Sequence, residues 1–165
     1  MSARLRVLMV CTGNICRSPT AEAVLRHKLA AAGLDREVDI DSAGTVDYHV
    51  GSPPDRRAQA HGARRGYDLS RLRARLVRAD DFAKFDLVLA MDSDHLEYLT
   101  ERCPEPRRER IRRLLEFVPG RSSGFDVPDP YYGAPAGFER VLDLVELACD
   151  GLVEHLRQRV ATGSP

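Results

Sequence analysis

Apolar side chains fill positions 5 to 10 except for Arg6 and then give way to a polar loop containing Gly13. A strand buried on both faces shows such a run, because neither face meets water, so residues 5–10 are read as the first strand. Ser18 offers a capping hydroxyl, Pro19 suits a first helical turn, and good helix formers then continue until Gly33. The alternation over 38–42, ending at Ala43-Gly44, predicts a second strand feeding a loop through Tyr48 and Gly51. Pro53 and Pro54 introduce a helix expected over 55–65. A short helix is expected near 80–85, a buried strand from Asp86 to Met91, and a helix capped by Asp92 or Ser93 that ends near Arg102.

Residues 111–117 suit helix or strand, and their place in the series favours a fourth strand. Two prolines and a glycine make 125–133 a loop. Phe138, Val141, Leu142, Val145, Cys149, Leu152, Leu156 and Val160 recur at intervals of three and four, which predicts an amphipathic final helix. Alternating strands and helices imply an α/β fold: a single-domain, doubly wound, four-stranded parallel sheet with helices on both faces. Its ligand crevice is expected at the carboxyl ends of the strands. The domain is expected over 1–160, with a short frayed tail at 161–165.

Composition narrows the function classes. The chain has 165 residues, 43% of them hydrophobic, enough for one core. Its 25 basic and 25 acidic side chains cancel, and no basic run suggests nucleic acid or an anionic membrane as partner. The opening apolar run is too short for a signal-peptide core, and nothing approaches a membrane span, so a cytoplasmic location is expected. Four cysteines without a CxxC pair point to buried or reactive thiols rather than a disulfide framework. The five histidines lack metal-ligand spacing, so no metal or other cofactor is expected.

The loop from Cys11 to Ser18 joins the first strand to the first helix, where α/β sheets bind anions. Backbone amides over Thr12, Gly13, Asn14, Ile15, Cys16, Arg17 and Ser18 can converge on a phosphate, with the helix dipole adding favourable potential. Gly13 lets the backbone approach the ligand. A cysteine beside a helix N-terminus and Arg17 is favoured as thiolate, which makes Cys11 a candidate nucleophile. Arg17 can grip two phosphoryl oxygens through its planar fork. Among 25 basic side chains the CxxxxxR spacing alone carries little weight, since a buried strand-end thiol near a surface arginine would look the same. The strand before, the glycine within and the Ser-Pro helix start after decide for the anion loop.

CTGNICRSPTAEAV resembles the signature of low-molecular-weight protein tyrosine phosphatases, and PDPYYG at 128–133 resembles the same family's acid loop. DSAG at 41–44, DYHVG at 47–51 and AMD at 90–92 extend the resemblance over about 4–159. It implies hydrolysis of protein phosphotyrosine and small aryl phosphates through a cysteinyl phosphate, with Cys11 as nucleophile, Arg17 as phosphate clamp and Asp129 as general acid and base. It further implies that Asn14 and Ser42 brace the loop, that the Ser18 hydroxyl stabilises the thiolate, and that Ile15, Tyr48, Tyr131 and Tyr132 surround the substrate ring. Cys16 becomes a redox partner that captures oxidised Cys11. Asp92 is a brace for the site or a helix cap. Implied partners are tyrosine-phosphorylated proteins, in bacteria a tyrosine kinase among them. Phosphate-like oxyanions are expected to inhibit, and the protein is expected to be a monomer.

Thioredoxin-coupled arsenate reductases resemble this family but need two further cysteines close together, and Cys103 and Cys149 are far apart in sequence. Phosphoarginine phosphatases tend to carry a threonine where this chain has Ile15, and an apolar side chain suits an aromatic ring better. A non-catalytic phosphotyrosine-binding module would lack part of the Cys11, Arg17, Asp129 set. Many members carry a histidine near Ser70-Arg71, so no role is carried over there. Residues 104–110 read as a solvated surface loop.

Overall fold

The computed structural model describes residues 4–163. Strand β1 (Leu5–Cys11) lies inside a four-stranded, wholly parallel sheet of order β2-β1-β3-β4, with β2 at Val38–Gly44, β3 at Leu87–Ala90 and β4 at Ile111–Arg113. Val7 pairs with Ile40 on one side and Leu87 on the other. The run over 5–10 is almost wholly apolar because both faces are covered, and Arg6, near the start of the strand, is its exposed exception. Val7, Met9 and Cys11 belong to one apolar cluster, Leu8 and Val10 to the other. Helices α1 (Arg17–Ala31) and α5 (Pro135–Thr162) pack together on the first face, with α2 (Arg56–Arg64) against α5. On the second face α3 (Asp81–Lys84) and α4 (Ser93–Arg102) contribute Phe82, Leu99 and, just beyond them, Phe85 and Cys103. The chain leaves β1 for the β2 edge and later returns to the opposite side as β3. The loop after β1 therefore opens at the point where strand order reverses, the usual ligand crevice of such sheets.

Several boundaries differ from expectation for identifiable reasons. Helix α1 starts at Arg17, and Ser18 does not cap it: its side chain is buried and its Oγ lies 3.0 Å from Cys11 Sγ. Residues 111–117 divide between the two options. Ile111–Arg113 pairs with β3, and then the Arg113 N–H donates to Glu116 Oε2 at 2.7 Å, turning Leu114–Phe117 into a 3₁₀ turn. The surface segment beyond residue 104 is another 3₁₀ turn, Glu105–Arg110, with no buried side chain. Helix α5 continues past Val160 to Thr162, where Gly163 ends it at φ +66°. The frayed tail expected from Ala161 is thus helical at its first two residues, and Ser164 and Pro165 lie outside the described residues.

Candidate active site

The loop between β1 and α1 holds its shape through side chains of α1 and β2 and the backbone near residues 45 and 75. Asn14 takes φ +59°, a left-handed conformation that asparagine tolerates better than most residues. Its Nδ2 donates to Ser18 Oγ at 2.8 Å and to Ser42 Oγ at 3.0 Å, while its Oδ1 accepts the Arg75 N–H at 3.0 Å. Ser42 in turn donates to Glu22 Oε1 at 2.7 Å. Burial pushes the Glu22 carboxyl up, against the hydrogen bonds from Ser42 and Arg26. Gly44, at the end of β2, lies so close to the loop that a Cβ there would meet the Thr12 carbonyl oxygen at 2.7 Å. The Thr45 and Val46 amides also donate to the Thr12 carbonyl.

This bracing aims Ser18 at the sulfur. Because Asn14 donates to Ser18 Oγ, the serine hydrogen is left to point at Cys11 Sγ, 3.0 Å away. No side chain caps α1, so its first amides face the loop. The structure joins Asn14, Ser18 and Ser42 in one connected hydrogen-bond network, which Glu22 and Arg75 extend.

Arg17 is 3% exposed, and its two terminal nitrogens do different work. Nη1 donates to Asp92 Oδ2 at 2.7 Å and to the Val127 carbonyl at 2.9 Å, which fixes the plane of the guanidinium. Nη2 reaches Thr12 Oγ1 at 3.4 Å and lies 3.7 Å from Asp129 Oδ2. His95 Nε2 lies 2.8 Å from the same threonine oxygen. Asp92 proves to be both cap and brace: Oδ1 accepts the His95 N–H at 3.0 Å, capping α4, while Oδ2 holds Arg17. Burial works against its charge, but the His95 side chain and amide, together with Arg17, outweigh it and hold the carboxyl well below the usual carboxylate range.

That shift has a stability consequence. A carboxyl with a lowered folded pKa contributes stability fully above its unfolded value of about 3.9, and the contribution fades as pH falls toward the folded pKa. Asp92→Asn is expected to cost about 1.5–3 kcal/mol at pH 7, the scale of a charge-assisted hydrogen bond. Urea unfolding midpoints should show the gap to wild type narrowing at pH 3; a gap independent of pH would overturn this account.

The crevice over the loop is a pocket of about 250 Å³, with Cys11, Ile15 and Arg17 in its lining and Asp129 beside them. Asp129 Oδ1 accepts the Tyr131 N–H at 3.0 Å, so the residue shapes its turn while its other oxygen stays on the pocket side near Arg17. Tyr131 lies under Arg57, whose guanidinium carbon is 5.5 Å from the ring centre and 4.9 Å from that of Phe138. Tyr48 and Tyr132 also border the pocket but are 82% and 93% exposed, which makes them a rim rather than buried walls. Val46 and His49 line it too, and sequence reasoning passed over both. Val46 was signalled only by its position in the loop after β2, and His49 also by its place within DYHVG at 47–51. His49 Cδ2 would stand 3.0 Å from a Cβ at Gly13, so that glycine admits the histidine as well as a ligand.

Cys16 is buried in the same lining, and burial, with Asp55 and Cys11 adding, pushes its thiol up to about 12. Cys103 and Cys149 are buried elsewhere, and all four cysteines are free thiols. Among the described residues no group of three His, Cys, Asp or Glu side chains could hold a metal ion, and no helix is long and apolar enough to cross a membrane.

Residues 6–162 match the sequence profile of the low molecular weight phosphotyrosine protein phosphatases. A low molecular weight protein-tyrosine-phosphatase of Streptomyces coelicolor is 45% identical over 157 residues, covering 94% of this chain and 95% of the relative. The crystal structure of a protein tyrosine phosphatase from Entamoeba histolytica, with Hepes in its active site, superposes with a TM-score of 0.89 at 41% identity, covering 93% of this chain and 97% of that one. YfkJ of Bacillus subtilis gives the same TM-score at 37% identity, covering 95% and 97%.

Proposed function

Because this chain belongs to the low-molecular-weight protein-tyrosine phosphatase family and is a hydrolase of that class, we propose that it cleaves phosphotyrosine in proteins through a cysteinyl phosphate formed on Cys11. One observation carries the mechanism. The Cys11 sulfur is at the uncapped head of α1 with Ser18 Oγ at 3.0 Å, in a pocket that Arg17 and Asp129 share. The sulfur attacks phosphorus in line, an S–P bond forms, and the P–O bond to the tyrosine ring breaks. Asp129 gives its proton to the leaving phenolate oxygen, then takes one from the water that attacks the phosphocysteine and releases phosphate. Arg17 Nη2 and the loop amides of 12–18 hold the phosphoryl oxygens as their charge grows, while Asp92 and Val127 keep the guanidinium aligned. Phosphate-like oxyanions compete for the same cradle; the sulfonate of Hepes bound by the Entamoeba relative is a chemical analogue.

Selectivity rests on the pocket. Ile15 presents an apolar side chain and Tyr131 an aromatic one beside the phosphate site, which suits a phenyl ring. Cys16 serves as the redox partner: peroxide oxidises the Cys11 thiolate to a sulfenic acid, and the Cys16 sulfur displaces hydroxide to close a disulfide. Its raised pKa keeps it a thiol during turnover, leaving Cys11 as the attacking sulfur. The substrates are tyrosine-phosphorylated proteins, the enzyme acts as a cytoplasmic monomer, and no metal takes part in the steps above. Rapid quenching during turnover of a phosphotyrosine peptide in excess EDTA should trap phosphate on Cys11, identified by mass spectrometry. A phosphoarginine peptide should be a poorer substrate by about tenfold or more, the scale of a lost hydrophobic fit. Absence of phosphocysteine during active turnover would refute the mechanism.

A further inference from the structure

A second cleft, of about 420 Å³, opens behind the loop that carries Asp129. It lies at the same end of the sheet as the catalytic pocket, because Ser93 follows β3 and Arg113 ends β4. Three guanidinium groups meet there: Arg113, Arg121 from the following loop, and Arg140 from the second turn of α5. The carboxylate in this lining, Asp126, is already engaged. Its Oδ1 accepts from the Ser93 N–H at 2.9 Å and from Ser93 Oγ at 2.8 Å, at the first turn of α4.

Two of the arginines are poorly matched by the protein itself. Arg140 has no ion pair among the described residues. Arg121 gives Nε to the Gly124 carbonyl at 2.7 Å and leaves its fork uncommitted. Arg113 stacks on Phe125, with Nη1 3.3 Å from Ser93 Oγ, while its Nε is buried without a hydrogen-bond partner and the Glu116 carboxylate stands 3.6 Å away. Arginine forks around one cleft suit carboxylates.

The cleft and the catalytic pocket share a wall. Asp126 faces the cleft, Val127 holds Arg17, and Asp129 faces the pocket. Extended, those three steps span at most about 10 Å, a distance that about three residues of a bound peptide also cover. We propose that this cleft is an anionic subsite that receives Glu or Asp side chains flanking the phosphotyrosine of the protein substrate, which makes acidic phosphopeptides the preferred class. The proposal rests on the phosphotyrosine phosphatase reading and names which sequences that activity favours.

Two phosphotyrosine peptides that differ only in three flanking residues, Glu in one and Gln in the other, test it. In wild type, kcat/KM should favour the acidic peptide by about tenfold at low salt and less at 0.5 M salt, as screened charge pairs require. In Arg121→Glu/Arg140→Glu the preference should vanish or reverse, with turnover of a small aryl phosphate unchanged. The single change Arg140→Gln should give an intermediate preference, which keeps the test open if the double variant folds poorly. Equal kcat/KM for the two peptides in wild type, or an undiminished preference in the double variant, would overturn the subsite. Failure of the underlying activity looks different, since neither peptide nor aryl phosphate would then release phosphate.

Discussion

Cys11→Ser is expected to reduce turnover of a phosphotyrosine peptide by about 10⁵-fold or more, on the order of the loss when a covalent nucleophile is removed. The substitution changes one atom in a loop whose remaining contacts stay in place. Serine is smaller than cysteine at a buried position, so packing and fold should survive. What disappears is chemistry. A hydroxyl does not ionise near neutral pH, and among the described residues no histidine is within hydrogen-bond reach of Cys11, whose polar partner is Ser18. Binding should persist, because Arg17 and the loop amides hold the phosphoryl group whether or not sulfur is present. The variant should therefore bind a phosphotyrosine peptide in a calorimetric titration while showing no burst of phenol release. Turnover within about tenfold of wild type would mean that the attacking group lies elsewhere.

The parts of this site visible in the sequence are those fixed by local chain direction. A doubly covered strand forces a nearly continuous apolar run, and the turn into α1 forces Cys11, Gly13 and Arg17 together within seven residues. The final helix is similarly legible, because one face of α5 supplies the buried positions from Phe138 to Leu156. Tertiary proximity is a different matter. Asn14 meets Arg75 across 61 positions, and Arg17 meets Val127 across 110. Neither partner carries a pattern of its own: the Arg75 contact uses a backbone amide, the Val127 contact a carbonyl, and any residue supplies those. The resemblance supplied Asp129, Ser42 and the tyrosines, whose placement no periodicity dictates. It did not supply the ion-pair network that ties α2 to α5, where Arg65 binds Glu139 at 2.7 Å and Glu146 at 2.6 Å and Tyr67 donates to Glu146 at 2.5 Å. Gly151 was equally silent. It lies where a Cβ would run into the Phe117 carbonyl oxygen, so its absence of side chain lets α5 close on the turn after β4. Ser18 carries two readings, a helix cap by its type and a thiolate partner by resemblance; in the fold no side chain caps α1, and Ser18 Oγ lies 3.0 Å from Cys11 Sγ.

Asp129→Asn is expected to slow hydrolysis of phosphotyrosine by about 10²–10⁴-fold, the usual contribution of a positioned general acid. Asparagine is chosen because its carbonyl oxygen can keep the hydrogen bond from the Tyr131 amide, 3.0 Å from Oδ1 in the native loop. The turn should then keep its shape, and the loss can be assigned to the proton. The variant also removes a negative charge 3.7 Å from Arg17 Nη2, which by itself favours the incoming phosphate. KM should accordingly hold or fall while kcat drops, a split that damage to the pocket would not produce. Leaving-group dependence gives the sharper discrimination. A phenol that is strongly acidic departs as its anion and gains little from protonation, whereas tyrosine, with a pKa of about 10, gains much. The penalty of Asp129→Asn should therefore shrink as the leaving phenol becomes more acidic, and wild type should be nearly insensitive across the same series. An equal loss for every leaving group would remove Asp129 from proton transfer and leave it as a shaping residue of the loop, the role its hydrogen bond to Tyr131 already performs.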